Sequence, residues 1–91
     1  GMDINEIDLF EINEAFSCVP MVAADKLKID HNKINIHGGA VSLGHPIGAS
    51  GTRILVTLLN ALKIRKAKYG IASICIGGGE ASAMIIENYD L

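Results

Sequence analysis

Residues 38–53 read GGAVSLGHPIGASGTR and form the most distinctive stretch of the sequence. Five of these sixteen residues are glycine, which indicates a loop shaped by something other than core packing. Pro46 restricts the backbone of His45 to extended or polyproline conformations, so a stiff piece of loop presents the imidazole. A helix is predicted immediately afterwards, from Ser50 to about Arg65. A histidine held in this way is suited to acid–base chemistry, but such a turn also occurs for purely structural reasons.

The bulk composition is that of a small globular domain. The 91 residues allow one domain with a thin core, and 49% of them are apolar while 20% are charged. A formal net charge of −2 gives no reason to expect a nucleic acid or an anionic membrane as a partner. No apolar run approaches the roughly 20 residues needed to span a bilayer, and no secretory signal is recognisable. We therefore expect a cytoplasmic protein.

Two cysteines and three histidines are the candidates for thiol or metal chemistry. Cys18 and Cys75 form no CxxC pair and are expected to be free thiols in a reducing compartment. Cys18 is expected to pack inside a helix, whereas His31 and His37 are expected on the surface and in a loop. None of these residues has the spacing of zinc ligands, so no metal site is predicted.

The apolar pattern predicts strands and helices in alternation, followed by a final hairpin. This order indicates an α/β fold in which a mixed, mainly parallel sheet has flanking helices and a final antiparallel strand. The strand that leads to Cys75 is almost continuously apolar, so it is expected to be buried on both faces. The predicted elements are a strand over 7–12, a helix over 13–28, a strand over 34–36, a helix over 50–65 and strands over 69–76 and 81–87.

The ends of the two predicted helices carry recognisable signals. Asn13 is a good N-cap residue for the first helix, although Pro20 requires either a kink or a regular helix that begins only near Ser17. Ser50 or Thr52 can cap the second helix. Apolar residues at helical spacing in the first helix are Phe16, Val19, Ala23 and Leu27. Those of the second helix are Ile54, Leu55, Leu58, Leu59 and Leu62. A basic cluster at the end of the second helix consists of Lys63, Arg65, Lys66 and Lys68.

Three separate stretches are predicted to meet at one edge of the sheet. Asn13, the loop around His45, and Cys75 with the turn Gly77–Gly79 all follow or end a predicted strand. Ligand sites in open α/β sheets gather beyond the carboxyl ends of the strands. Asn13 is either a helix cap or a site residue, and Cys75 is either a buried strand thiol or a reactive thiol beside backbone N–H groups. The glycine spacing argues against a nucleotide phosphate loop.

These three stretches resemble the active-site segments of the C-terminal domain of thiolases, the acetyl-CoA acetyltransferases and 3-ketoacyl-CoA thiolases. The matching segments are the tetrapeptide Asn13–Phe16, residues 38–53, and residues 75–79, and the resemblance extends from about Ile7 to Ile86. It implies a fold of two similar βαβαβαββ halves, of which this chain resembles most of the second. The residues of these motifs are most similar to those of short-chain acetoacetyl-CoA thiolases.

The resemblance also implies roles for individual residues. His45 would activate a nucleophilic cysteine, and Cys75 would exchange the α-proton of acetyl-CoA. Asn13 would hold a water that stabilises the enolate oxygen together with His45, and the N–H of Gly77 would stabilise the tetrahedral intermediate. Phe16 would line the pantetheine tunnel. The reaction would be the condensation of two acetyl-CoA molecules to acetoacetyl-CoA, or the reverse thiolysis, in fatty acid metabolism.

By the same resemblance, residues 1–91 would be a partial C-terminal domain that needs a partner. The nucleophilic cysteine would belong to an N-terminal domain or chain, so these residues alone are expected to be inactive. Acetyl-CoA and coenzyme A would be substrates, with no separate cofactor, and the intact enzyme would be a homo-oligomer. Two alternatives stay open, namely a non-catalytic thiolase-like module for assembly or acyl-CoA binding, and a self-sufficient thiol hydrolase that uses Cys75 and His45.

Overall fold

The three-stranded sheet at the centre of the molecule has the order β1-β2-β3 in the computed structural model, which describes residues 3–16, 18–45, 48–77 and 80–89. Strands β1 and β2 are parallel, with Leu9 opposite Gly70, and β2 and β3 are antiparallel, with Tyr69 opposite Glu87. The α/β class and the final antiparallel strand are therefore confirmed. The elements are β1 (Leu9–Ile12), α1 (Cys18–Leu27), α2 (Ala40–Leu43), α3 (Ser50–Arg65), β2 (Tyr69–Gly77) and β3 (Glu80–Glu87), with short 3-10 helices at Ile4–Glu6 and His31–Lys33.

Strand β1 lies between two apolar clusters, and all four of its residues are buried. On one face of the sheet, Leu9 and Ala72 pack against the buried side of α3, which carries Ile54, Leu58, Ala61 and Leu62. On the other face, Phe10 and Ile12 pack with Ile7 and Ile29, and α1 adds Val19 and Ala23 at the margin. The amphipathic pattern predicted for α3 is confirmed, except that Leu59 is exposed.

Strand β2 is less buried than its apolar sequence predicts. Gly70 and Ala72 are buried beneath α3, whereas Tyr69, Ile71, Ser73 and Ile74 are half-buried. The expectation of burial on both faces is therefore wrong for residues 69–74. The reason is that α3 covers the face of β2 that carries Gly70 and Ala72, whereas Tyr69 and Ile71 on the other face pack only partly against the second cluster.

The first helix begins at Cys18, so the prediction that Asn13 is its N-cap is wrong and the later start is correct. Pro20 lies in the first turn, where its missing N–H has no intrahelical partner to lose, and its side chain is buried. Cys18 is exposed rather than packed, since the buried positions of α1 are Pro20 and Ala24. Phe16 and Leu27 are also exposed, in contrast to the predicted apolar face.

The strand predicted over 34–36 is reduced to a single parallel bridge between Ile34 and Phe10. Asn35 interrupts it because its backbone is left-handed, with φ of 48°, a conformation that asparagine tolerates better than most residues. Its side chain takes over the pairing: Oδ1 accepts from the N–H of Ile12 at 2.8 Å, and Nδ2 donates to the carbonyl of Ile12 at 2.8 Å. The last residue of β1 is thus fixed by a side chain.

The basic residues in the last turn of α3 and just after it are exposed, as predicted. Lys66 ends the helix in a left-handed conformation, with φ of 53°, and its N–H bonds the carbonyls of Leu62 and Lys63. No helix among the described residues is long and apolar enough to cross a membrane.

Candidate active site

Asn13 and His45, which are 32 positions apart in the sequence, are in direct contact. The Nδ2 atom of Asn13 lies 3.3 Å from Nδ1 of His45. Asn13 follows the carboxyl end of β1, and His45 lies in the loop between α2 and α3. The predicted meeting of these two stretches at the sheet edge is therefore observed.

The position of Asn13 is set by its neighbours in the sheet. Its N–H donates to the carbonyl of Ser73 at 2.9 Å and so extends the β1–β2 pairing by one residue. The residue before it, Ile12, is held on its other side by Asn35. The side chain of Asn13 is buried, and its Oδ1 has no hydrogen-bond partner among the described residues. A buried acceptor of this kind is expected to have a partner in the working state of a site.

Ser50 is the second neighbour of the imidazole. Its Oγ lies 2.5 Å from Nδ1 of His45, and Ser50 is almost completely buried. The prediction that Ser50 or Thr52 caps α3 is wrong, because Ala49 occupies the N-cap position and none of the described side chains caps the helix there. Ser50 contacts His45 instead. Pro46, which was predicted to stiffen this loop, lies outside the described residues.

Both contacts use Nδ1 of the half-buried imidazole, which decides what His45 can do chemically. An imidazole whose Nδ1 is occupied by protein groups has Nε2 left to exchange a proton or a hydrogen bond with a reactant. The arrangement therefore fits a general acid or base with a fixed ring orientation.

Glu14 ties the segment after β1 to the glycine-rich loop. Its Oε1 accepts a hydrogen bond from the N–H of Val41 at 3.2 Å, in the first turn of α2. A Cβ atom at Gly39 would overlap Oε1 of Glu14 and lie 2.7 Å from its Cδ, so any other residue here would displace the Glu14 carboxylate from Val41. The close approach explains one of the glycines in the stretch, and α2 itself was not predicted.

The third predicted stretch reaches the same edge through its backbone. Cys75 lies in β2 two residues beyond Ser73, the residue that bonds the N–H of Asn13, and β2 continues to Gly77 with a register irregularity between them. The side chain of Cys75 and residues 78–79 lie outside the described part of the chain, so the roles of Cys75 and Gly77 stay predictions. Phe16 is 74% exposed, three residues after Asn13, and its role also stays a prediction.

Two charged residues near the site, Glu11 and Arg53, were not predicted from the sequence to have a role there. Oε2 of Glu11 lies 3.6 Å from Nη1 of Arg53, and Glu11 is 1% exposed. Burial raises the pKa of Glu11 from 4.5 to about 7, Arg53 opposes this shift, and Glu14 adds to it. The available signal was a glutamate between Phe10 and Ile12, two apolar residues of a predicted strand, because a carboxylate that becomes buried there is usually paired with a cation.

The thiolase C-terminal domain model matches residues 1–88 of this sequence. The chain belongs to the thiolase family. Acetyl-CoA acetyltransferase 1 of Arabidopsis thaliana is 58% identical over 87 residues, which are 96% of this chain and 21% of the plant protein. Acetyl-CoA acetyltransferase of Escherichia coli strain K12 is 52% identical over 87 residues, or 96% of this chain and 22% of the bacterial protein.

The thiolase fold is supported by a solved structure as well. The crystal structure of the Bacillus anthracis acetyl-CoA acetyltransferase superposes with a TM-score of 0.88 at 46% identity, covering 92% of this chain and 21% of that chain. The chain thus spans about a fifth of the length of the thiolases that it matches. The resemblance noted from the motifs is confirmed at the level of the family and of the fold.

Proposed function

We propose that this chain supplies the C-terminal part of the active site of an acetyl-CoA acetyltransferase. The observation that carries the proposal is the cluster of Asn13, His45 and Ser50 at the carboxyl edge of the sheet, in a chain 58% identical to a protein named as that enzyme. The reaction would join two acetyl-CoA molecules into acetoacetyl-CoA and coenzyme A, or run in the thiolysis direction.

In the first step, a cysteine of an N-terminal domain attacks the thioester of acetyl-CoA, forms an acetyl-cysteine and releases coenzyme A. His45 accepts the thiol proton at Nε2 in the neutral tautomer whose Nδ1–H donates to Oγ of Ser50, the nearer of its two neighbours. Fixing the imidazole before the substrate arrives lowers the cost of reaching the reactive geometry. The nucleophilic cysteine is not among residues 1–91, so we propose that the N-terminal domain or chain is an obligatory partner.

In the second step, Cys75 removes the α-proton of a second acetyl-CoA. The resulting carbon nucleophile attacks the acetyl-cysteine carbonyl, and the cysteine leaves as acetoacetyl-CoA forms. The negative charge on the thioester oxygen needs hydrogen-bond donors, each worth about 3 kcal/mol in such sites. We assign this task to His45 with a water held by Asn13, and to the N–H of Gly77. Coenzyme A acts as substrate, and the steps require no further cofactor.

Further features of the proposal come from the sequence. Phe16, which is exposed in this chain, would line the tunnel for the pantetheine arm. The same proposal places the enzyme in fatty acid metabolism and in the cytoplasm. It also includes a homo-oligomeric intact enzyme with no nucleic-acid or membrane partner. The formal charge of −2 supports that last point. The non-catalytic alternative is not favoured, because the matched relatives carry the names of enzymes.

The test is an exchange protein, defined as the E. coli acetyl-CoA acetyltransferase with its matching segment replaced by residues 1–88 of this chain. We expect the exchange protein to catalyse acetoacetyl-CoA thiolysis with coenzyme A. Replacing His45→Ala should lower kcat/KM by about 10²–10⁴-fold, the usual contribution of a positioned acid or base. His37→Ala is the matched control, because His37 is exposed in the same region. Equal activity in the two variants would remove His45 from the mechanism.

A further inference from the structure

Glu11 and Arg53 form a buried pair between β1 and α3. Their nearest charged atoms, Oε2 and Nη1, are 3.6 Å apart, and the two side chains are 2% and 22% exposed. Arg53 is also anchored to its own helix, because Nη1 donates to Oγ1 of Thr57 at 3.2 Å. The pair therefore connects one strand and one helix at a defined position.

The two elements joined by this pair are those that hold the imidazole. Glu11 lies two residues before Asn13 at the carboxyl end of β1, and Arg53 lies three residues after Ser50 in the first turn of α3. Asn13 and Ser50 both contact Nδ1 of His45. A change in the separation of β1 and the start of α3 would therefore alter both contacts at once.

The packing of this interface does not require charged groups. The neighbouring residues on the two elements, Leu9 and Ile54, belong to the apolar cluster beneath α3. Oε2 of Glu11 and Nη2 of Arg53 are buried and lack hydrogen-bond partners among the described residues. Buried ion pairs with unsatisfied atoms are weak contributors to stability, and apolar residues of similar volume often replace them without loss. A pair with this cost is better explained by what it positions.

We propose that Glu11 and Arg53 are positioning residues, whose attraction sets the distance between β1 and the first turn of α3 at which His45 contacts Asn13 and Ser50 together. The inference concerns the site of the proposed function and rests on the role given there to His45. The charged groups that act on Glu11 are Arg53 from α3 and Glu14 from the segment after β1. Glu11 and Arg53 do not touch the reacting atoms.

The experiment follows the imidazole of His45 by long-range ¹H–¹⁵N correlation in the ¹⁵N-labelled 91-residue chain, without turnover and at a pH above 7, where Glu11 is ionised. Exposed His31 and His37 provide internal references. The variants are Glu11→Gln, Arg53→Met and the double variant Glu11→Met/Arg53→Met, which keeps an apolar filling and is expected to fold. Arg53→Lys tests rescue by retained charge. Asp8→Asn is the control, because its carboxylate bonds the N–H groups of Lys68 and Tyr69 at the opposite end of β1.

The expected result separates positioning from a direct charge effect. If the pair acts by positioning, Glu11→Gln and Arg53→Met shift the His45 nitrogens in the same direction, toward the values of His31 and His37. The double variant then resembles either single variant, Arg53→Lys shifts less, and Asp8→Asn has no effect. A direct charge effect would instead shift the His45 nitrogens in opposite directions in the two single variants.

Two results would overturn the inference. One is a folded double Met variant in which the His45 nitrogens keep the values of the parent chain. The other is opposite shifts in the two single variants. Neither result bears on whether the exchange protein is active, so failure of this inference is distinguishable from failure of the proposed function.

Discussion

At the scale of single residues, His45 is held at one ring nitrogen by two neighbours from different elements. The shorter contact is that of Ser50, at 2.5 Å. Removing one hydrogen bond to a fixed catalytic group costs about 1 kcal/mol. In the exchange protein we expect Ser50→Ala to lower kcat about 5- to 10-fold with KM little changed, because orientation of the base matters in the transition state.

The control for that variant is Thr52→Ala, an exposed position in the same helical turn. Steady-state thiolysis rates at several coenzyme A concentrations give both parameters. Equal kcat values for the two variants would show that Ser50 does not orient His45.

Glu11 gives the stability of the chain a pH dependence with an unusual sign. Its pKa is raised from 4.5 to about 7 in the folded protein, chiefly by burial. The folded state therefore binds more protons than the unfolded state between these two values, and the free energy of unfolding decreases as the pH rises through this window. The decrease is expected to reach about 3 kcal/mol at most.

Urea unfolding at several pH values between about 4.5 and 7 measures this dependence. Glu11→Gln should remove the decrease, whereas Asp25→Asn, an exposed carboxylate on α1, should leave it in place. A decrease of the same size in Glu11→Gln would mean that another group is responsible.

The residue-scale features were predictable only where they follow from the position of a strand end. Asn13 and His45 could be placed together because both follow predicted strands of one sheet. A serine at the start of a helix fits an N-cap as well as a site residue. Only the path of the loop decides that the Ser50 hydroxyl faces His45. The partner of Glu11 could not be named, since any of the basic residues could have met it.

At the scale of elements, the contact of β2 with α3 depends on the absence of a side chain at Gly70. A Cβ atom there would lie 2.8 Å from Cδ1 and 3.1 Å from Cγ of Leu58, which is 0% exposed and surrounded by core residues. We expect Gly70→Ala to lower the free energy of unfolding by about 1–3 kcal/mol, the usual cost of overpacking.

The matched control is Gly51→Ala, in the first turn of α3, where a Cβ atom meets no atom of the described residues within 4 Å. This variant should be neutral or stabilise by up to about 1 kcal/mol, because alanine favours helix. Urea unfolding of both variants provides the comparison. A destabilised Gly51→Ala beside an unaffected Gly70→Ala would contradict the packing described for this interface.

Element boundaries were predictable where periodicity is long and uninterrupted. The sixteen residues of α3 and the hairpin of β2 and β3 agree with the sequence pattern. The prediction of a strand over 34–36 was wrong because Asn35 pairs with Ile12 through its side chain. An apolar–polar–apolar pattern does not reveal such pairing. The start of α1 was decided by Pro20, whose preference for a first turn favours the later of the two predicted positions.

At the scale of the whole molecule, the described chain exposes apolar side chains on several elements. Leu59 on α3 and Met84 and Ile85 on β3 are each more than two-fifths exposed. Such surface fits a domain that packs against the remainder of a thiolase, and we expect the isolated chain to self-associate. Light scattering during size-exclusion chromatography measures this, and a cooperative monomer at high concentration would contradict it.

We propose that this chain supplies His45, Cys75 and Asn13 to a thiolase site whose nucleophile comes from elsewhere. Acetoacetyl-CoA thiolysis with coenzyme A, measured on the exchange protein and on the 91-residue chain alone, tests it most directly. We expect turnover by the exchange protein and none by the chain alone. Turnover by the chain alone that is lost in His45→Ala would contradict the claim, because the nucleophile would then be a thiol of this chain.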